Sequence, residues 1–167
     1  MTQRLEFVET IPEGYRDLLI AYLTGILPTF EAESGIKIDP IQMADETLAD
    51  PSHLLPPRNR LVVAYDEGNT LVGCGSLRRI REDAGEMKRM FVAPSQRGKG
   101  LGRALFEERI AEARRMELEW IFADTVIGNR PMLNLYEKSG FQYIDRYPEN
   151  ANPLEYAPHL VFLRLKL

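Results

Sequence analysis

The chain has 167 residues, 44% hydrophobic and 28% charged, with 21 Lys+Arg against 25 Asp+Glu and a formal net charge of −4. Its length suits one domain at ~150 residues per domain, residues 1–167, and its composition is ordinary for a soluble globular protein. A single cysteine, Cys74, and two histidines, His53 and His159, exclude a disulfide framework and a cysteine-rich zinc site. The acidic balance argues against a nucleic-acid partner. No stretch approaches the ~20 apolar residues of a membrane span, and the N-terminus lacks the apolar core of a signal peptide. A cytoplasmic location is expected.

Leu5–Glu9 reads as a first strand, and Pro12-Glu13-Gly14 breaks the chain. From Tyr15 to Phe30, residues Leu18, Leu19, Tyr22, Leu23 and Ile26 fall at helical spacing, and Pro28 is expected to end or kink that helix. Ile41–Leu48 predicts a short helix, and Pro51, Pro56 and Pro57 a loop. A strand meander follows over Leu61–Tyr65, Thr70–Leu77 and Glu86–Val92, with a turn at Glu82–Gly85. Gly73 and Gly75 mark a bulge or a close backbone approach.

Strands then alternate with helices. Gly100–Met116 is helix-like, and Arg109 interrupts its apolar side, with its charge expected at the edge. Trp120–Val126 is an apolar run broken by Asp124, as in a buried parallel strand. Asn129 suits a helix N-cap, Pro131 a first turn and Gly140 a C′ stop. Phe141–Arg146 and His159–Lys166 close the chain as strands. The fold class is α+β, an antiparallel meander feeding a βαβ-like unit.

Charge is unevenly spread. Residues 1–77 carry five basic and twelve acidic side chains, whereas residues 78–103 carry eight basic and three acidic. The basic window contains Gln96-Arg97-Gly98-Lys99-Gly100-Leu101-Gly102, placed between a strand and a helix. Glycines let amides turn toward a ligand, and a helix N-terminus adds unpaired N–H groups and partial positive charge. Together they form a pyrophosphate cradle. The loop lacks the Gly-Lys-Ser/Thr ending of a Walker motif and the Gly-x-Gly-x-x-Gly spacing of a dinucleotide fold.

Arg97-x-x-Gly100-x-Gly102 resembles the Gln/Arg-x-x-Gly-x-Gly/Ala signature of the GCN5-related N-acetyltransferase (GNAT) family. Met87–Pro94 before the loop, and Asn129 with Leu135-Tyr136-Glu137-Lys138-Ser139-Gly140-Phe141 after it, extend the resemblance over residues 60–146. It implies the GNAT acyl-CoA N-acyltransferase fold: a mixed central sheet with an antiparallel N-terminal meander and a splayed parallel pair, flanked by helices. It also implies acetyl-CoA as cosubstrate, with no metal. The loop role carries onto Arg97, Gly98, Lys99, Gly100, Leu101 and Gly102, with Arg103 next. Met90, Phe91 and Val92 take the strand that pairs with pantetheine, where an N–H would polarise the thioester carbonyl. Asn129 matches a contact to the pantetheine arm, beside its reading as a plain cap.

Tyr136 resembles the family's general acid, which protonates the departing thiolate; the alternative is a tyrosine packed in the core. Glu86 matches the glutamate base of the histone-acetylating relatives. By strand alternation it shares a sheet face with Lys88 and Met90, and its other reading is an ion-paired glutamate. Cys74 reads as a buried strand cysteine rather than an acetyl carrier, and no role falls to His53; His159 lines the acceptor cleft at most.

The resemblance places acceptor specificity in residues 30–55 and 146–159. Similar small-molecule enzymes carry a compact Tyr-Tyr-x-Asn-Pro there; this chain has the longer Arg146-Tyr147-Pro148-Glu149-Asn150-Ala151-Asn152-Pro153. The acidic first third suits a cationic amine, while Arg78, Arg79 and Arg146 suit a carboxylate, and the two readings stay open. The expected function is transfer of an acetyl group to the primary amine of a small molecule in a ternary complex. The alternatives are a protein lysine or N-terminal acetyltransferase and a non-catalytic CoA-binding sensor. A homodimer is common among such folds, and the oligomeric state stays open.

Overall fold

A computed structural model describes residues 3–167. Its seven strands form one sheet: β1 (Arg4–Phe7), β2 (Asn59–Tyr65), β3 (Leu71–Arg81), β4 (Ala84–Val92), β5 (Trp120–Val126), β6 (Gln142–Ile144) and β7 (Leu160–Lys166). The order across the sheet is β1-β2-β3-β4-β5-β7-β6. Every neighbouring pair is antiparallel except β4 and β5.

Four helices cover the two faces: α1 (Tyr15–Ser34) and α2 (Pro40–Ala49) on one, α3 (Leu101–Arg115) and α4 (Arg130–Lys138) on the other. Tyr15, Leu19 and Leu23 of α1 pack on Leu61, Val63, Cys74 and Phe91. Phe106 and Ile110 of α3 and Leu133 and Tyr136 of α4 pack on Leu77, Met87, Ile121 and Leu163. Alternation along each strand delivers the two apolar sets to the two faces.

Several local expectations change. Pro28 lies inside α1, which runs six residues past it to Ser34. Phe30, buried and set edge-on against Tyr156 at 4.9 Å, offsets the hydrogen bond that proline removes. The strand from Leu71 continues to Arg81, and Ala84 and Gly85 belong to β4 rather than to the preceding turn. Gly140 does stop α4: its φ is +89°, Phe141 N–H donates to Tyr136 O and Gly140 N–H to Glu137 O, a Schellman arrangement.

β4 carries one extra residue against β3. Cys74 faces Phe91 and Ser76 faces Lys88, so Gly75 stands opposite both Arg89 and Met90. Arg89 has φ +51°, which marks the bulge. The extra residue resets the alternation: Lys88 and Arg89 both face α1, and Met90 turns to the α3 side. Glu86 therefore shares its face with Lys88 but not with Met90.

Gly75 and Arg109 are matched below the bulge. A Cβ on Gly75 would lie 2.8 Å from Arg109 Nε and 2.9 Å from its Cζ, so glycine leaves room for the guanidinium. Arg109 does not reach the edge of its helix; it is fully buried. Its Nη1 donates to Ser76 O at 3.1 Å and Lys88 O at 3.4 Å, and its Nε to Leu105 O at 3.2 Å. Burial lowers its pKa from the ordinary arginine value.

Candidate active site

β4 and β5 are paired only from Ala84↔Trp120 to Met87↔Ala123. Beyond that point β4 runs on to Val92 and β5 to Val126, so the strands part. Met90, Phe91 and Val92 lie along the opened edge of β4. Hydrogen-bonding groups on such an edge offer a ladder to an extended ligand.

The glycine loop follows directly. Gly98 and Gly100 have φ of +74° and +85°, and a Cβ at either would meet nothing within 4 Å. Conformation, not crowding by protein, makes glycine suitable there. Gly100 occupies the N-cap of α3 without a side-chain cap. Among the described residues, no protein group accepts from the amides of Gly98, Lys99, Gly100, Leu101, Gly102 or Arg103. Six successive free donors at a helix N-terminus fit a diphosphate. Arg97 Nε donates to Val92 O at 3.0 Å, which ties the loop to the end of β4. Lys99 is exposed, and Arg103 pairs with Glu107 at 2.7 Å.

Tyr136 is buried, its ring against Phe141 at 4.9 Å and Phe106 at 6.2 Å. Among the described residues its hydroxyl has no hydrogen-bond partner. Burial pushes its pKa well above the ordinary phenol value, opposed by the positive charge of Arg109. Asn129 stands at the N-cap of α4 but makes no capping bond; its amide donates to Thr125 Oγ1 at 2.8 Å.

Glu86 is fully buried and enclosed. Its Oε2 accepts from the Tyr147 hydroxyl and from Asn150 Nδ2, and its Oε1 pairs with Arg78 at 3.0 Å. Lys88 Nζ stands 3.9 Å from the same oxygen. The carboxylate nearer open space is Asp124 of β5. Its Oδ2 accepts from Asn150 at 2.6 Å, Asn152 at 3.0 Å and Lys88 at 3.3 Å. Among the described residues no donor reaches Oδ1.

Asp124, Lys88 and Arg89 line a cavity of about 160 Å³ on the α1 face of the sheet; Glu86 does not reach it. Leu23, Ile26 and Leu27 of α1, with Ile38 and Met43, give it apolar walls. Asn152 and Tyr156 close one side, and a groove between α2 and residues 151–156 continues outward. The loop expected to carry acceptor specificity thus both covers the cavity and, through Tyr147, Asn150 and Asn152, binds the two carboxylates.

The three arginines expected to hold a carboxylate are already engaged. Arg78 binds Glu86 and the Glu149 carbonyl, Arg79 the carbonyls of Glu82 and Met116, and Arg146 those of Asn150 and Asn152. Sequence reasoning gave no site role to Asp124, Lys88 or Arg89. A lone aspartate in the apolar run Trp120–Val126 was the signal for the first; nothing local marked Arg89. Cys74 is buried, and burial raises its thiol to about 12, which suits a packed side chain rather than a nucleophile.

Among the described residues no helix is long and apolar enough to cross a membrane. Residues 25–141 match the acetyltransferase (GNAT) family. The chain is 32% identical over 128 residues to an uncharacterized N-acetyltransferase of Schizosaccharomyces pombe, covering 75% of this chain and 76% of that one. Its fold matches a GNAT-family acetyltransferase of Staphylococcus aureus with a TM-score of 0.73, at 22% identity over 98% of this chain and 100% of the other. It also matches a GNAT acetyltransferase of Elizabethkingia anophelis solved with acetyl-CoA bound, with a TM-score of 0.62, at 19% identity over 99% of this chain and 98% of that one. The mixed sheet with one splayed parallel pair is the GNAT acyl-CoA N-acyltransferase fold, and the chain belongs to the GNAT family of acetyltransferases.

Proposed function

We propose that this protein moves the acetyl group of acetyl-CoA to the primary amine of a small molecule by direct attack in a ternary complex. The observation that carries the reading is the gap between β4 and β5. The anion-binding loop lies beyond the end of β4, and a walled cavity with a carboxylate, Asp124, lies on the α1 face. Asn152 and Tyr156 cover that cavity, which favours a small acceptor over the side chain of a folded protein.

Acetyl-CoA supplies an activated thioester: the amine nitrogen forms the C–N bond, the C–S bond breaks, and the departing thiolate needs a proton. The amides of residues 98–103, with Arg97, Lys99 and Arg103 around them, hold the diphosphate. The edge of β4 at Met90–Val92 holds the pantetheine arm and presents an N–H to the carbonyl oxygen. Asn129, fixed by Thr125, flanks that arm. Tyr136 gives its proton to the thiolate, and its raised pKa keeps that proton in place at neutral pH.

A lysine-like amine has a pKa of ~10.4 and arrives protonated. Asp124 Oδ1 takes that proton, since it is the carboxylate atom that no protein donor reaches, and the second N–H proton, released once the C–N bond has formed, restores the Tyr136 phenol. Glu86, expected as the base, acts here as a positioning residue: with Tyr147 it fixes Asn150, which orients Asp124.

The test is thiol release from acetyl-CoA over a panel of amines, amino acids, polyamines and lysine peptides. Release with small amines and none with peptides is expected. CoA binding without turnover of any acceptor would sink the reading in favour of a sensor.

A further inference from the structure

Charge matching around the cavity leaves one cation over. Glu86 is paired with Arg78 at 3.0 Å and Asp124 with Lys88 at 3.3 Å. Arg89 also lines the cavity, yet among the described residues its guanidinium has no hydrogen bond and no ion pair. Arg89 is half-buried, so its guanidinium is open to a ligand in the cavity, and a carboxylate is the partner it fits in bidentate fashion. The backbone is strained to place it there: Arg89 has φ +51°, in a region arginine rarely adopts. Tyr22, on the opposite wall, is within electrostatic range of both Arg89 and Asp124.

Resting on the acetyl-transfer reading, we infer that the acceptor is a small amino acid-like molecule: an amine directed to Asp124, a carboxylate held by Arg89, and an apolar side chain along Leu23, Ile26 and Met43. The cavity thus carries an acceptor for the amine proton, held by Asn150, Asn152 and Lys88, and an unpaired donor group for the acid. Among the described residues Asp124 is the one acid lining the cavity, and Asp39 and Glu46 lie outside it along the groove beyond, so discrimination against a polyamine rests on Arg89 and Lys88 beside the amine site.

The experiment compares leucine, leucinamide and 3-methylbutylamine, three acceptors with the same apolar group, in the thiol-release assay with the wild-type protein and Arg89→Gln. A charge-assisted bidentate contact predicts kcat/KM for leucine about 10- to 100-fold above that for leucinamide. Arg89→Gln brings that ratio close to one, and Arg89→Lys restores part of it. Calorimetric titration of the CoA-saturated protein with leucine reads the same contact without turnover. Should Arg89→Gln fail to fold, the wild-type ratio alone decides. Equal or better turnover of leucinamide, 3-methylbutylamine or spermidine overturns the inference and leaves acetyl transfer standing. No turnover of any amine overturns acetyl transfer, and Arg89-dependent binding of leucine would still support the acceptor class.

Discussion

Arg109 reaches through the sheet to donate to the carbonyl of Lys88, the residue just before the bulge, and to that of Ser76 on the neighbouring strand. The bulge interrupts the ladder at this point, so the guanidinium supplies donors that the backbone does not. Arg109→Leu keeps much of the volume and leaves Ser76 O without that donor inside the core. The expected loss is about 2–4 kcal/mol of stability, out of a total on the order of 5–15. That lowers Tm by roughly 2–4 °C per kcal/mol for a chain of this size. Differential scanning calorimetry checks it; a variant melting with the wild type shows that the bulge stands unaided.

Gly102 separates the cofactor's claim on the loop from the protein's own. It lies in the first turn of α3, and a Cβ there would meet Val92 Cγ2 at 3.7 Å and Met90 Cε at 3.8 Å, ordinary contacts. Gly102→Ala is therefore expected to raise stability by up to ~1 kcal/mol through helix propensity. The added methyl group points at Val92 and Met90, and the signature admits alanine at this position, so CoA affinity is expected to stay within about threefold of wild type. A higher Tm with CoA affinity kept supports a cradle that uses the amide of residue 102 and not its lack of a side chain. A loss of about tenfold in CoA affinity would place the ligand against the α-carbon of Gly102 instead.

Much of this was legible in the chain because it is written locally. The glycine loop between strand and helix, the meander and the helical stripes follow from spacing alone. The lone Asp124 stood out, although its partners did not. Gly75 marked a bulge or a close approach, and the register does shift there; what was hidden is that the extra residue lies on β4 at Arg89, and that Arg109 of a distant helix fills the space over Gly75. With it went the orientation of Arg89, which alternation would have sent to the opposite face. Arg109 was misread for the same reason: an arginine on an apolar helix face ordinarily snorkels, and only the gap over Gly75 gives it an interior place. Pro28 does not end α1, which continues to Ser34 with Phe30 packed against Tyr156.

The two carboxylates and the phenol are separable by mutation. Asp124→Asn removes the atom that accepts the amine proton and is expected to lower kcat/KM by about 100-fold or more. Glu86→Gln keeps the shape of a residue one layer deeper, and its cost is expected to stay under about tenfold. Tyr136→Phe preserves the contacts with Phe106 and Phe141, so Tm stays close to wild type while kcat falls by ~100-fold or more. Steady-state kinetics with one good acceptor checks the order. A Glu86→Gln loss exceeding that of Asp124→Asn would return the role of base to Glu86.

Buried acids with raised pKa values give the folded chain an alkaline weakness. Burial lifts Cys74 from 9.0 to about 12 and Tyr22 from 10.0 to about 12, and raises Tyr15, Tyr136 and Tyr147 as well. Below pH 9 these groups keep their protons in both states and stability does not depend on them. Above pH 9 the unfolded chain releases the Cys74 proton while the folded chain retains it. The unfolded state then binds fewer protons, and stability falls by up to ~1.4 kcal/mol per pH unit for each such group. The tyrosines join above pH 10, where the decline steepens. Urea unfolding of wild type and Cys74→Ala from pH 8 to 10 isolates the thiol, because the other alkaline contributions cancel in the difference. Cys74→Ala is less stable at every pH through its cavity, and the wild-type advantage is expected to shrink by roughly 1 kcal/mol over that range. An advantage constant from pH 8 to 10 would mean that the thiol ionises as readily inside the sheet as in the unfolded chain.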